Sequence, residues 1–184
     1  MIQAIKPLKA VWYKRLVREL PYLDGEKCHS ILNWLLSCES DSPLASPELD
    51  ILNQRLAYRY RILHQRYLFV DSHQAYRQLI SRLGSVLLSI NSVQTWITKQ
   101  SQSRQETLRL IQKLIHELLD NDSNLQNKLS RIPQYTTDAH LSKALVLATI
   151  EEYCMYPIHG QPLLLHLLRQ YLKCQLQAQT NQAA

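Results

Sequence analysis

Between Leu49 and Ile97 the apolar residues recur at helical spacing with one interruption, and few other chain designs are compatible with that pattern. The first half reads LDILNQRLAYRYRILHQRYLFV. After Asp71-Ser72 the second reads QAYRQLISRLGSVLLSINSVQTWI. In the first, Leu49, Leu52, Leu56, Leu63 and Val70 share one helical face, with Tyr60 and Tyr67 at its edge. In the second, Tyr76, Ile80, Leu83, Leu87, Ile90 and Ile97 keep a near-heptad spacing that only Gln94 interrupts. The spacing predicts two long consecutive helices, about 47–70 and 72–99. Three glycines and one phenylalanine in 184 residues leave little material for sheets and tight turns.

The flanking segments repeat this helical pattern. Residues 7–20 form a helix with Pro7 in its first turn, a stripe of Leu8, Trp12, Leu16 and Leu20, and Pro21 as its stop. Asp24 is a good N-cap for a second helix over about 25–38, with Ile31, Leu32, Leu35 and Leu36 on its core face. The segment CESDSPLASP, with two prolines and several serines, is a loop, and Ser46-Pro47 opens the next helix. Ser103 and Glu106 form a capping box for a further helix with Leu108, Ile111, Ile115 and Leu118 on one face. A short helix with Leu125, Leu129 and Ile132 leads to Pro133, and Thr137 or Asp138 caps a helix over about 138–156. Residues 157–160 form a turn, Pro162 starts the last helix, and the tail from Gln175 is polar and expected to fray. Gly84 marks a close-packing point between helices. The expected fold is all-α, a single-domain helical bundle or array of about seven to eight helices with two long central ones. Its parts are a helical hairpin (1–38), a loop (39–46), a main body (47–174) and a polar tail (175–184).

Composition excludes more than it assigns. Cys28, Cys38, Cys154 and Cys174 include no C-x-x-C pair, which fits free thiols in a reducing cytoplasm. Lys6, Lys9, Lys14 and Arg15 interrupt the first apolar residues, so no signal peptide is expected. No apolar run reaches the roughly 18 residues of a membrane span. No G-x-G-x-x-G, Walker, G-x-S-x-G or H-E-x-x-H motif occurs, and with three glycines a phosphate-cradling loop is not expected. Glu151-Glu152 is an acidic pair within a helix, but adjacent side chains point about 100° apart and do not converge on one proton or metal. A metal site drawn from Cys154, His159, His166 and Cys174 matches no compact zinc spacing. The expectation is therefore a non-enzymatic protein with no catalytic residues, metal or cofactor.

Charge is the stronger signal. Residues 53–113 carry ten Lys or Arg against Asp71 and Glu106, while residues 39–52 carry four acids and no base. Arg55, Arg59 and Arg66 fall within about 40° of arc on one helix, beside the apolar face, and Arg77 follows on the next. Such a row, interleaved with tyrosines, suits a phosphate backbone, because guanidinium binds phosphate bidentately. Arg55, Arg59, Arg66 and Arg77 are therefore the candidate nucleic-acid-binding residues. If they form one exposed stripe, Arg55→Glu with Arg59→Glu abolishes binding in a folded protein. The same side chains flank an apolar stripe, so they also fit a structural role, lying over the core or pairing with acids such as Asp50, Glu106 or Glu117.

Three segments carry a family resemblance: LAYRYRILHQRYL, YRQLISRLGSVLLSINSVQTWI and ALVLATIEEYCMYPIHGQPLLLHLLRQYLK. Together they look like the HetZ and HetZ-related proteins of cyanobacteria, over about residues 45–173. The last is the most specific, with Glu151-Glu152-Tyr153-Cys154, then Pro157, then Gln161-Pro162-Leu163-Leu164 leading into a helix. The resemblance implies a non-enzymatic regulator of transcription in heterocyst differentiation or a related programme, with DNA or the transcription machinery as partner. Family members usually continue past the equivalent of residue 173 into a helix-turn-helix-like region, where this chain has its polar tail. That departure leaves open a second role, a helical protein–protein interaction module without DNA contact.

Overall fold

The computed structural model describes residues 5–37 and 46–182, and it is all-α apart from one minimal hairpin. The helices are α1 (Ile5–Glu19), α2 (Gly25–Leu36), α3 (Ser46–Arg66), α4 (Ser72–Leu88), α5 (Asn91–Gln100), α6 (Arg104–Asp120), α7 (Ser123–Leu129), α8 (Ala139–Met155) and α9 (Leu163–Gln182). Two-residue strands β1 (Pro157–Ile158) and β2 (Gln161–Pro162) pair antiparallel between α8 and α9. His159 and Gly160 form their tight turn with φ of 49° and 76°, as a two-residue hairpin loop requires. The loop expected at 39–46 lies outside the described residues, except for Ser46, which starts α3.

The helix ends follow local chemistry. Asp24 caps α2 through its carboxylate and Lys27 N at 2.8 Å. Asp122 does the same for Leu125 N in α7, and Asp138, rather than Thr137, for Leu141 N in α8, each at 2.8 Å. The Leu141 amide and the Lys27 ammonium, 3.2 Å away, hold the Asp138 carboxyl below its ordinary range. At α6 the Ser103 hydroxyl accepts from Glu106 N at 3.2 Å, while the Glu106 carboxylate reaches back to Gln102 N at 2.7 Å. This is a capping box closed one residue early.

Two expectations about length are corrected. The long helix predicted over 72–99 is two helices. Ile90 adopts an extended conformation (φ −95°, ψ 119°), the Ser89 hydroxyl donates to Val86 O at 2.6 Å, and Gln94 Nε2 donates to Leu88 O at 2.5 Å. The side chains of Ser89 and Gln94 thus offer the backbone alternatives to a continuous helix, a competition that apolar spacing does not register. Conversely, the polar tail expected to fray from Gln175 remains helical to Gln182.

The chain divides into two compact units, residues 1–72 with 130–148, and residues 73–129 with 149–184. Both sides of the 39–46 loop belong to the first unit, and α8 passes from one unit to the other. The core of the first unit holds Trp12, Leu16 and Leu20 of α1, Ile31, Leu32, Trp34 and Leu35 of α2, and Leu56, Tyr60 and Leu63 of α3, with Tyr67 just beyond it. Each such side chain contributes about 1.5–3 kcal/mol on burial. Tyr60 and Tyr67, placed by periodicity at the edge of the α3 face, are buried within it. The second unit buries Leu79, Leu83 and Leu87 of α4 and Ile111, Leu114, Ile115 and Leu118 of α6. Leu108, expected on that α6 face, is 56% exposed, so the face is rotated toward Leu114 and Leu119.

Gly84 sits where α4 approaches α6 closely: a Cβ there would lie 2.9 Å from Cγ2 of Ile111. Gly84→Ala gains helix propensity of up to about 1 kcal/mol but forces the γ-methyl of a buried residue to move. The expected net effect is a loss of about 1–2 kcal/mol, read from chemical denaturation. Ile111→Leu, which lacks the γ2 methyl, recovers part of the loss in the double variant. An unchanged midpoint for Gly84→Ala would contradict the close approach.

Candidate functional site

The arginine row on α3 is the first site the sequence nominates, and its central member is structural. Arg59 is 3% exposed. Its Nη1 donates to the carbonyl of Leu35 at 2.8 Å, and its Cζ stands 4.4 Å from the centre of the Trp34 ring. Leu35 lies in the last turn of α2, whose final carbonyls have no partner within the helix. Ser37 satisfies Trp34 O through its N–H at 3.1 Å and its hydroxyl at 2.6 Å, and Arg59 satisfies Leu35 O. No basic residue lies in the last turn of α2, so Arg59 brings from α3 the positive charge that a helix C-terminus favours.

This burial interrupts the proposed stripe. Arg55 and Arg66 are exposed at either end, but between them Arg59 and Ile62 (4% exposed) are both covered. Arg66 is also engaged in an interaction of its own. Arg77 is exposed on α4, in the second unit. The structure therefore leaves Arg55, Arg66 and Arg77 at the surface and removes Arg59 as a nucleic-acid contact, because it is buried with Nη1 on the Leu35 carbonyl and its guanidinium over the Trp34 ring. Arg61, outside the predicted row, is exposed, with its Cζ 5.5 Å from the centre of the Tyr58 ring. The exposed phase of α3 runs through Tyr58, Arg61 and Gln65. The alternation YRYR at 58–61 carried that signal, but helical phase alone does not tell which arginine turns inward.

The other nominated groups resolve as follows. Glu151 is 2% exposed and receives a hydrogen bond from Arg82 Nη2 at 3.1 Å, a part-buried structural ion pair within the second unit. Burial, with Asp122 adding to it, pushes the Cys154 thiol up to about 12, so it stays protonated at neutral pH. His166 Nε2 lies 3.1 Å from Ile158 O, His159 is exposed in the hairpin turn, and Cys174 is exposed on α9. Glu-x-x-His, a spacing used in di-metal bundles, occurs at Glu26 and His29. Both are exposed, and the His29 ring stacks on Tyr13 at 4.3 Å. Among the described residues no three His, Cys, Asp or Glu side chains gather where they could hold a metal ion, and no helix is long and apolar enough to cross a membrane.

A feature that periodicity did not reveal lies in the second unit. Helices α5, α6 and α9 line a groove of about 480 Å³. Val93 and Trp96 come from α5, Leu110 and Leu114 from α6, and Leu168 and Leu172 from α9. Val93, Leu114 and Leu168 are buried at its floor, while Trp96 and Leu172 stand at the surface, 40% and 38% exposed. Its polar edge is fixed: Tyr171 Oη donates to Glu117 at 2.6 Å, and Lys113 lies 3.9 Å from the same carboxylate. That hydrogen bond, with burial behind it, raises the Tyr171 phenol, which remains neutral. The sequence signal was Trp96 itself, a large apolar ring in the polar stretch NSVQTWITKQ, off the buried Val93–Ile97 seam.

Comparison with known proteins finds no matching family model, no matching curated relative and no matching solved structure.

The central member of the row and its exposed neighbour Arg55 should separate in stability. Arg59→Ala leaves Leu35 O and the Trp34 face uncovered and is expected to cost about 2–4 kcal/mol, whereas Arg55→Ala should stay within about 0.5 kcal/mol of the parent. Arg59→Glu should be worse than Arg59→Ala, because it sets a carboxylate against a carbonyl at a helix C-terminus. Arg55→Glu with Arg59→Glu is therefore expected to destabilise the protein rather than leave it folded. Urea unfolding of the single variants checks this, and equal midpoints for Arg55→Ala and Arg59→Ala would refute it.

Proposed function

We propose that this protein is a non-enzymatic, transcription-associated regulator that works by holding a helix of a protein partner, not by reading DNA through an arginine stripe. The observation that carries the reading is the α5–α6–α9 groove. Three helices contribute residues at i, i+3 or i+4 spacing to one apolar trough, and each leaves part of that face uncovered. This is the arrangement of a bundle that lacks one helix. An amphipathic helix with apolar anchors at i, i+3/i+4 and i+7 is the ligand such a trough accommodates. Trp96 and Leu172 are suited to act as its anchoring contacts, since exposed aromatic and aliphatic groups gain most from desolvation. The transcriptional setting is supported by the resemblance of residues 45–173 to HetZ-related proteins, and a reducing cytoplasmic setting by the free Cys28, Cys154 and Cys174.

A second reading, direct contact with nucleic acid, is favoured by the net charge of +6 and the exposed Arg55, Arg61 and Arg77. Without Arg59 these side chains offer charge attraction but no continuous row to follow a backbone. Binding of this kind is non-specific and falls steeply with salt.

Selection of displayed helical peptides on the purified full chain tests the groove. The expected winners carry the i, i+3/i+4, i+7 apolar pattern and shift the Trp96 fluorescence on binding. Leu172→Ser should weaken them about tenfold, roughly 1.4 kcal/mol, without changing the fold. Winners that lack this pattern, or that bind Leu172→Ser and Trp96→Ala as well as the parent, would overturn the assignment.

A further inference from the structure

The charge beside the α5–α6–α9 groove is as one-sided as its floor is apolar. Helix α5 carries Lys99 and no acid, and α9 carries Arg169 and Lys173 and no acid. Lys99 stands three residues beyond Trp96, while Arg169 and Lys173 flank Leu172, three residues before it and one after. All three are exposed, and none has an ion-pair partner among the described residues. Lys113 of α6 lines the groove itself, with its side chain 75% exposed.

Glu117 is the acid among the lining residues, and it is already occupied. It accepts from Tyr171 Oη at 2.6 Å and faces Lys113 at 3.9 Å. Glu106 and Asp120, the other acids of α6, do not line the groove. Glu106 is spent on the capping box, where it accepts from Gln102 N at 2.7 Å, and Asp120 ends the helix. A ligand settling here therefore meets an apolar floor with cations beside it on α5, α6 and α9.

We propose that the helix held in this groove is acidic, an amphipathic segment with apolar anchors and Asp or Glu at the flanking positions. The inference rests on the reading of the groove as a helix-binding site, and charge complementarity selects the occupant. A nucleic acid matches the cations but has no apolar face to cover Val93, Leu114 and Leu168 on the floor. An anionic lipid surface is flat on this scale and does not reach a recessed floor. A basic amphipathic helix covers the floor but sets like charges against Lys99, Lys113, Arg169 and Lys173. An acidic helix satisfies both. Each exposed ion pair is worth little alone, so the preference is a sum over the border and falls as salt is added.

Fluorescence anisotropy of two labelled peptides on the full chain tests the proposal. Both carry the same leucine anchors at i, i+4 and i+7, and one has glutamate, the other lysine, at the flanking positions. The glutamate peptide is expected to bind about tenfold or more tightly at low salt, with the margin shrinking as salt rises. Arg169→Glu with Lys173→Glu should weaken the glutamate peptide about tenfold and leave the lysine peptide no weaker. Both side chains are exposed, so the helical signal and thermal midpoint should hold. Lys14→Glu with Arg55→Glu makes the same change of net charge within the first unit and should leave the glutamate peptide within about twofold, which separates the groove border from overall attraction. Lysine-peptide binding as tight as glutamate-peptide binding, or an equal loss in the two double variants, would overturn the acidic partner and leave the groove standing. Binding of neither peptide would overturn the groove reading and the acidic partner with it.

Discussion

The guanidinium of Arg59 closes the C-terminal end of α2, and the first unit is arranged around that contact. The last carbonyls of a helix need donors, and among the described residues Ser37, just past α2, supplies the local one. Another donor comes from α3, twenty-four residues along the chain. Once Arg59 lies across Trp34 and Leu35, α3 is fixed in rotation about its own axis. Tyr60 then faces Trp12 of α1, Leu56 and Leu63 enter the core, and Tyr58 and Arg61 turn outward. A buried cation is stable here because its burial is matched by a hydrogen bond, an aromatic face and the negative end of a helix dipole. Removing any of the three leaves the others poorly satisfied.

Helical periodicity carried most of the architecture because burial of one face is what holds helices of this length together in water. Trp12, Leu16 and Leu20, or Leu79, Leu83 and Leu87, are spaced as their burial requires. Caps were also legible, since Asp24, Ser103 and Asp138 satisfy specific orphan amides. Two things were not legible. The break at Ser89-Ile90 depends on side-chain hydrogen bonds to the backbone, and apolar spacing runs straight through it. The burial of Arg59 depends on a carbonyl of another helix, and no pattern within α3 records it. Arginines at the edge of an apolar face sit between two fates, and tertiary contacts decide which.

That decision reshapes the functional reading. With its middle member spent on α2, the arginine row no longer offers a continuous surface to a phosphate backbone. What remains exposed is of two kinds, scattered cations and concave sites. The groove of the second unit is apolar, with Trp96 and Leu172 at its edge and a fixed Tyr171–Glu117–Lys113 border. The pocket of the first unit is polar, lined by Arg15, Glu19, Tyr58 and Arg61.

The claim that the arginines of α3 do not form a nucleic-acid surface is tested most directly by duplex-DNA binding of the full chain, followed by fluorescence anisotropy across a salt series. The slope of log affinity against log salt counts the phosphates neutralised. Weak binding is expected, with a slope equivalent to about one or two phosphates, as isolated cations would give. A slope of about five or more, reduced in a folded variant carrying Arg55→Glu with Arg66→Glu, would instead show that α3 tracks the phosphate backbone.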